Sequence, residues 1–410
     1  MVSTVHLGPT KFPNIEGQKN MSDARLTETL EILDALVAFD TVSSNTNLPL
    51  LEYVEAYLVR HNVPSRRYPS DCGTKANLWA TIGPADVPGI IWSGHTDVVP
   101  VDGQAWETDP FCLTRNDRDE VIGRGATDMK GFLACCLALV PQLTEGTLSR
   151  PIHLCFSYDE EVGCIGVRSA INDLATWSVK PLGCIVGEPS NSGIVTGHKA
   201  KRSFRVEVVG LTGHSSLAPQ AVNAVHFGAR LINHIVEIAE DLEVNGLRDP
   251  IFSVPHSTAH VGLVQGGTQL NIVPERCYFD FEFRVLPQSD PDELVNRVRG
   301  FADTVLLPLM RVKHADADIR FDIITAFPGL DIVEDHPWVS SMMRCAKTNE
   351  VSRVSYGAEA GLFQTVAGIP TVICGPGNIE DAHKPNERLA ISELNTCLSI
   401  LERAAFNDFF

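Results

Sequence analysis

The chain has 410 residues, 44% of them hydrophobic and 20% charged, an ordinary soluble composition in a length that predicts two domains rather than one core. The 33 basic and 51 acidic residues give a formal net charge of −18, and without a basic stripe to neutralise phosphates a nucleic-acid partner is not expected. No apolar run approaches the roughly 18 residues of a membrane span, and MVSTVHLGPTKFPNIEGQKN lacks the charged-then-apolar order of a secretory signal.

That first stretch reads as a loose leader, and Met21 offers an alternative start because the first amphipathic pattern begins just after it. From Arg25 to Phe39, Leu26, Leu30, Ile32, Leu33 and Leu36 recur at helical spacing. A second helix covers roughly Pro49 to His61. NLWATIG and GIIWSGHTD then read as strands, GFLACCLALVPQL as a buried helix, and IHLCFSYDEE and LGCIVGEPS as strands again. This alternation predicts an α/β domain around a largely buried sheet. Near residue 197 the pattern changes. Phe204, Val206 and Val208 alternate with polar residues, and so do Cys277, Phe279, Phe281 and Phe283, as in an antiparallel sheet with one wet face. Amphipathic helices fall in AVNAVHFGARLINHIVEIAEDL and DPDELVNRVRGFADTVLLPL. The α/β character then returns: ITAFPGLDI leads into a helix, and GIPTVICGPG is a buried strand. The predicted layout is an α/β catalytic domain, a mixed sheet flanked by helices, built from 1–196 and 314–410. An α+β module at 197–313 interrupts it.

The 11 cysteines are odd in number and form no CxxC pair. Cys155 and Cys374 lie in apolar runs, so buried free thiols in a reducing, cytoplasmic compartment are expected.

Acids and histidines gather where strands finish. His95 and Asp97 follow GIIWSG, Glu160 and Glu161 follow IHLCFSY, and Glu188 follows LGCIV. Asp128 sits in the turn GRGATDMKG, and His383 lies in the loop beyond TVICGPG. Singly, each has a bland explanation: Asp128 as a helix cap, Glu188 as a loop acid before Pro189, either histidine as a satisfied polar group. Together they occupy the edge where α/β sheets bind ligands, and adjacent acids repel unless a cation lies between them. Imidazole and carboxylate suit Zn²⁺, and the same ligands would accept Co²⁺ or Mn²⁺. Asp97, two residues from His95, is expected to accept the spare imidazole N–H. Of the two adjacent glutamates, one can bind metal while the other serves as a base.

The segments SGHTDVVPVDGQAWETDPF, GRGATDMKG, SYDEEVGCIG, VGEPS, TGHSSLAP, GGTQLNIVP, FRVLP and AHKPNE follow one another in this order. In this the chain resembles the dinuclear zinc amidohydrolases and exopeptidases, a family that includes acetylornithine deacetylases, succinyl-diaminopimelate desuccinylases and aminoacylases. The resemblance implies two Zn²⁺ per subunit bridged by Asp128, with His95 and Glu188 completing one site and Glu161 and His383 the other. It implies Glu160 as general base and a ferredoxin-like inserted module that acts as lid and dimerisation domain. It also implies that His214 reaches the active site of the partner subunit in a homodimer and stabilises the oxyanion. Arg284 would meet a substrate carboxylate and Asn271 would line the same pocket. Taken without the resemblance, His214 reads as a helix-entry residue and Arg284 as half of a surface salt bridge.

Within the family, SYGAEAGLFQ and GIPTVICGPGNIEDAHKPNE resemble the acetylornithine deacetylase branch, with Ala358 where threonine is expected. Glu359 either meets a substrate ammonium or caps the helix it opens. The implied reaction is hydrolysis of a small N-acyl amino acid in arginine biosynthesis. Another acyl amino acid such as succinyl-diaminopimelate, a dipeptide, or a non-catalytic binding protein of the same fold are the competing readings.

Overall fold

The computed structural model describes residues 15–407. In chain order the strands of its two principal sheets are β1 (Ser65–Pro69), β2 (Ala76–Ile82), β3 (Ile90–His95), β4 (Ile152–Ser157), β5 (Gly183–Pro189), β6 (Ile194–His198), β7 (Ala200–Val209), β8 (Thr258–Gly266), β9 (Arg276–Val285), β10 (Asp318–Phe327), β11 (Leu330–Asp331), β12 (Val351–Val354) and β13 (Thr371–Gly375). The principal helices are α1 (Ile15–Val37), α2 (Leu48–Arg60), α3 (Gly131–Ala138), α4 (Ala224–Asn245), α5 (Pro291–Phe301), α6 (Pro337–Ala346), α7 (Ala360–Thr365) and α8 (Ile391–Phe406). The expected first helix is present but begins at Ile15, ahead of Met21. The stretch 1–14 of the expected leader lies outside the described residues.

The larger sheet runs β1-β2-β4-β3-β5-β13-β6-β11, with β12 also paired to β6. β4, β3, β5 and β13 are mutually parallel at its centre, and antiparallel strands finish both sides. The apolar runs seen in the sequence are buried because both faces of this sheet are covered. On β3, Ile90 and Trp92 point into a core shared with α1, α2, α3, α6 and α8, while Ile91 points into a second core with α7. The two-residue period of the strand thus feeds two apolar layers. Where α3 crosses β5 the layers nearly touch. A Cβ on Gly187 would collide with the Phe132 ring, so only glycine fits.

β7-α4-β8-β9-α5-β10 forms a four-stranded antiparallel sheet in the order β8-β9-β7-β10 with two helices, a ferredoxin-like arrangement. Its strands alternate as expected: Phe204, Val206, Val208, Cys277, Phe279, Phe281 and Phe283 are all buried in one core against α4 and α5. α4 starts at Ala224, where the Asn223 side chain accepts a hydrogen bond from the His226 N–H.

The strand β10 corrects the expected end of this module at 313. It pairs with β7 along Asp318–Phe327, so ITAF closes the second sheet instead of returning to the first. Its register shifts between Ile323 and Thr325 and breaks the period-two pattern that would have marked it as a strand. Replacing Phe279 by Ala is expected to cost about 3–5 kcal/mol, the usual loss for a buried aromatic. Urea denaturation checks this, and a loss near zero would mean that the second core is not packed as described.

Candidate metal centre

The parallel strands β3, β4 and β5 point their carboxyl ends to one edge of the larger sheet. β3 ends on His95, β4 stops just before the turn bearing Glu160 and Glu161, and β5 carries Glu188 next to its last residue. Asp128 arrives from the turn before α3, which opens at Gly125 with φ +80°. His383 comes from the loop after β13 and holds φ +63°, a left-handed backbone costly for any residue but glycine. Five separate segments therefore converge.

Asp128 stands between the two histidines. Its Oδ1 lies 3.0 Å from His95 Nε2, and its Oδ2 lies 3.1 Å from His383 Nε2. His95 Nε2 is also 3.8 Å from Glu188 Oε1, and His383 Nε2 is 3.1 Å from Glu161 Oε2. Two overlapping sets of candidate ligand atoms result, His95–Glu160–Glu188 and His95–Asp128–Glu161, each with its atoms within 4.8 Å of one another. Glu160 additionally accepts a hydrogen bond from the Cys164 thiol at 3.1 Å.

These groups carry more negative charge than a buried site tolerates unaided. Burial, reinforced by neighbouring acids, pushes the Glu160, Glu161 and Glu188 carboxyls above their usual range. Burial would also raise Asp128, but hydrogen bonds from His383 and His95 outweigh it and hold that carboxyl low. The same bonds, with those to Glu161, push His383 up to about 11. In the chain by itself protons on the histidines offset the acids; a divalent cation would take over that role and release them. Two imidazoles with carboxylate oxygens are a fitting donor set for such an ion.

Asp97 differs from expectation. The His95 Nδ1–H is accepted by the Asp97 backbone carbonyl at 2.8 Å, while the nearest carboxylate oxygen is 3.7 Å away. The strand ends at His95, so the chain turns before Asp97 and the same-face argument lapses. Its carboxylate instead accepts the N–H groups of Glu160 and Glu161, at 3.1 and 3.3 Å, and the Ser43 hydroxyl at 2.7 Å. It fixes the glutamate turn rather than the histidine ring.

Of the expected substrate residues, His214, Asn271 and Arg284 sit in the inserted module. His214 is exposed on a two-residue strand, its Nδ1 hydrogen-bonded to Ser216, and the neighbouring Ser215 N–H donates to the Asn271 carbonyl. Arg284 donates to Glu282 at 2.9 Å on the polar face of the second sheet. Glu359 corrects one of its readings: it stands at the N-cap position of α7, but its side chain does not cap the helix. It is 1% exposed, and its carboxyl oxygens lie within hydrogen-bond distance of the Ser93 and Ser157 hydroxyls.

Sequence reasoning missed what holds Asp128. Glu387, 1% exposed, accepts the N–H groups of Gly125, Thr127 and Asp128 and pairs with Arg124 at 2.8 Å. Gln104 donates to the His383 carbonyl at 3.0 Å and also accepts from Arg124. The signal was present in Arg124 of GRG and Glu387 of KPNE, two charges of opposite sign flanking proposed ligands.

The sequence pattern of peptidase family M20/M25/M40 matches residues 91–407, a span that holds every ligand candidate. The chain belongs to this family. As an M20 member it is a metallo-hydrolase acting on amide bonds. Among its relatives, an acetylornithine deacetylase from Aliivibrio salmonicida is 32% identical over 337 residues, 82% of this chain and 85% of the relative. One from Photorhabdus laumondii is 28% identical over 387 residues, covering 92% and 97%. The fold is shared with an M20 metallo-carboxypeptidase from Sulfolobus solfataricus (TM-score 0.74, 19% identity, 92% and 98% covered). It is shared also with human carnosine dipeptidase 1 (TM-score 0.73, 17% identity, 96% and 98% covered).

Glu387→Ala would strand the buried Arg124 charge and free three N–H groups. Expected are a loss of about 3–5 kcal/mol in stability and a fall in metal affinity of about 10–100-fold, read by thermal melts and chelator competition. Unchanged affinity would show that Glu387 does not position Asp128.

Proposed function

We propose that this M20 hydrolase deacetylates N2-acetyl-L-ornithine to L-ornithine and acetate, in arginine biosynthesis, with two divalent ions bound per subunit. Zn²⁺ is the proposed metal and Co²⁺ a substitute. The observation that carries the two-ion reading is Asp128, whose two oxygens each face a different histidine. One carboxylate so placed can serve two ions, one beside His95 and Glu188 and one beside His383 and Glu161. The substrate reading is supported by the relatives, acetylornithine deacetylases at up to 32% identity over most of both chains.

Divalent ions supply Lewis acidity there, lowering the pKa of water and polarising the amide carbonyl. Glu160 lies in the same group of side chains, buried, and a carboxylate at this position takes the proton from the attacking water. It then gives that proton to the amine nitrogen as the C–N bond breaks, so the ornithine amine leaves neutral; the new oxygen stays on the acetyl carbon with the second water proton, which passes to solvent or to the freed amine as acetate is released. The Cys164 thiol and the turn fixed by Asp97 restrict where the Glu160 carboxylate can swing. His214 is assigned to the oxyanion in a homodimer, donated across the subunit boundary; its exposure within its own chain supports this. Arg284 and Asn271 are assigned to the substrate's carboxylate end. The cytoplasm is the proposed compartment, supported by 11 free cysteines of which only Cys72 and Cys112 are exposed.

One observation favours a second reading within the same chemistry. With Glu359 engaged by two serines, the ammonium of ornithine loses the partner the sequence suggested. A different N-acyl amino acid or a dipeptide then remains a competing substrate.

Two measurements test this. Glu160→Gln should bind metal normally and lose about 10²–10⁴-fold in kcat; near-normal turnover would remove Glu160 from the reaction. On metal-loaded wild type, kcat/KM should be higher for N2-acetylornithine than for succinyl-diaminopimelate or N-acetylmethionine. The reverse order would overturn the substrate assignment.

A further inference from the structure

Glu359 is a buried acid with no basic partner in an ion pair among the described residues. It stands just before α7, and its surroundings are the apolar layer that contains Ala358, Phe363, Val186 and the Cys155, Cys164 and Cys184 thiols. Its carboxyl oxygens lie 2.5 Å from Ser93 Oγ and 2.8 Å from Ser157 Oγ. Ser93 Oγ is in turn 3.3 Å from the Cys155 carbonyl.

Counting hydrogens favours one state of this group. A serine hydroxyl has one hydrogen to donate. If Glu359 were ionised, Ser93 would face two acceptors, the carboxylate and the Cys155 carbonyl, and satisfy only one. If Glu359 carries a proton, every hydrogen has one use. The acid donates to Ser93, Ser93 donates to the Cys155 carbonyl, and Ser157 donates to the second carboxyl oxygen. An apolar layer without a counter-ion favours the neutral form on the same grounds. Burial raises this carboxyl against the opposing pull of the two serines and of the more distant His95.

The location gives the arrangement a use. Ser93 is on β3, two residues before His95. Ser157 ends β4, opposite His95 in the parallel register and three residues before Glu160. A single side chain from α7 therefore bolts together the tips of the two strands that deliver His95 and the Glu160–Glu161 turn. We propose that Glu359 is a neutral, protonated positioning residue that sets the spacing between these two strand ends, and that it makes no contact with substrate. This rests on the assignment of His95, Glu160 and Glu161 to the metal centre and base.

The test uses Glu359→Gln, Glu359→Ala and Ser157→Ala in the full-length protein. Gln reproduces the protonated acid, with an amide N–H for Ser93 and a carbonyl for Ser157. Expected for Glu359→Gln are an unchanged melting temperature, unchanged Zn²⁺ affinity in chelator competition, and unchanged kcat and KM. Glu359→Ala should lose about tenfold or more in Zn²⁺ affinity, with kcat falling alike on N2-acetylornithine and N-acetylmethionine. If Glu359→Ala does not fold, Ser157→Ala should show the same loss in milder form. The infrared difference between wild type and Glu359→Gln should contain the carbonyl stretch of a protonated carboxyl. A missing band, or loss of Zn²⁺ affinity in Glu359→Gln, overturns the neutral assignment. A KM rise in Glu359→Gln confined to N2-acetylornithine would make Glu359 a substrate ligand and overturn the positioning role. If no acyl amino acid is hydrolysed, the substrate assignment fails, while the infrared and Zn²⁺ measurements still decide Glu359.

Discussion

Everything about the site depends on one electrostatic constraint: the buried Asp128, Glu160 and Glu188 carboxyls and the half-buried Glu161 lie within reach of one another, against two histidines. Water solvates them poorly, and like charges this close cannot all ionise without a compensating cation. The fold makes that placement possible because parallel strands have all their carboxyl ends on one side. The histidines meet Asp128 from opposite sides because one closes a strand and the other arrives from a loop after β13. Protons on those histidines are a partial answer; a divalent cation with nitrogen and oxygen ligands is a fuller one.

The layer beneath the ligands is as ordered as the ligands. Asp97 binds the two backbone N–H groups of the glutamate turn, Glu387 binds those of the Asp128 turn, and Glu359 ties β3 to β4. Each is an acid facing away from the centre. The acids here thus divide into those grouped with His95 and His383 and those that engage backbone N–H groups or strand-end hydroxyls. The second group has its own partners in N–H groups, hydroxyls or Arg124.

Much of this was legible in the sequence. Buried strands announce themselves as short apolar runs, and the acid or histidine that follows each run marks the edge where it ends. His95, Asp128, Glu160, Glu161, Glu188 and His383 were all named from that pattern, and the structure brings the six together. The alternation in CYFDFEF likewise announced the second sheet. What failed depended on local geometry. Asp97 was misjudged because the strand stops two residues too early for the same-face rule. The stretch of β10 was grouped with the first domain and not read as a strand, because a register shift interrupts its alternation. Glu359 reads in one dimension as a substrate ligand or a helix-capping acid. Only the packing of α7 under β3 and β4 shows that its partners are Ser93 and Ser157, far away in sequence. Arg124 and Glu387 pair across a similarly long stretch of chain.

The account turns on Asp128 serving two ions at once. The direct measurement is the metal content of purified protein loaded with Zn²⁺, determined by elemental analysis for wild type and for Asp128→Ala. Two ions per chain in wild type and loss of both in the variant is the predicted result. Retention of both ions by Asp128→Ala would contradict the account, because His95 and His383 would then hold their ions without the carboxylate that stands between them.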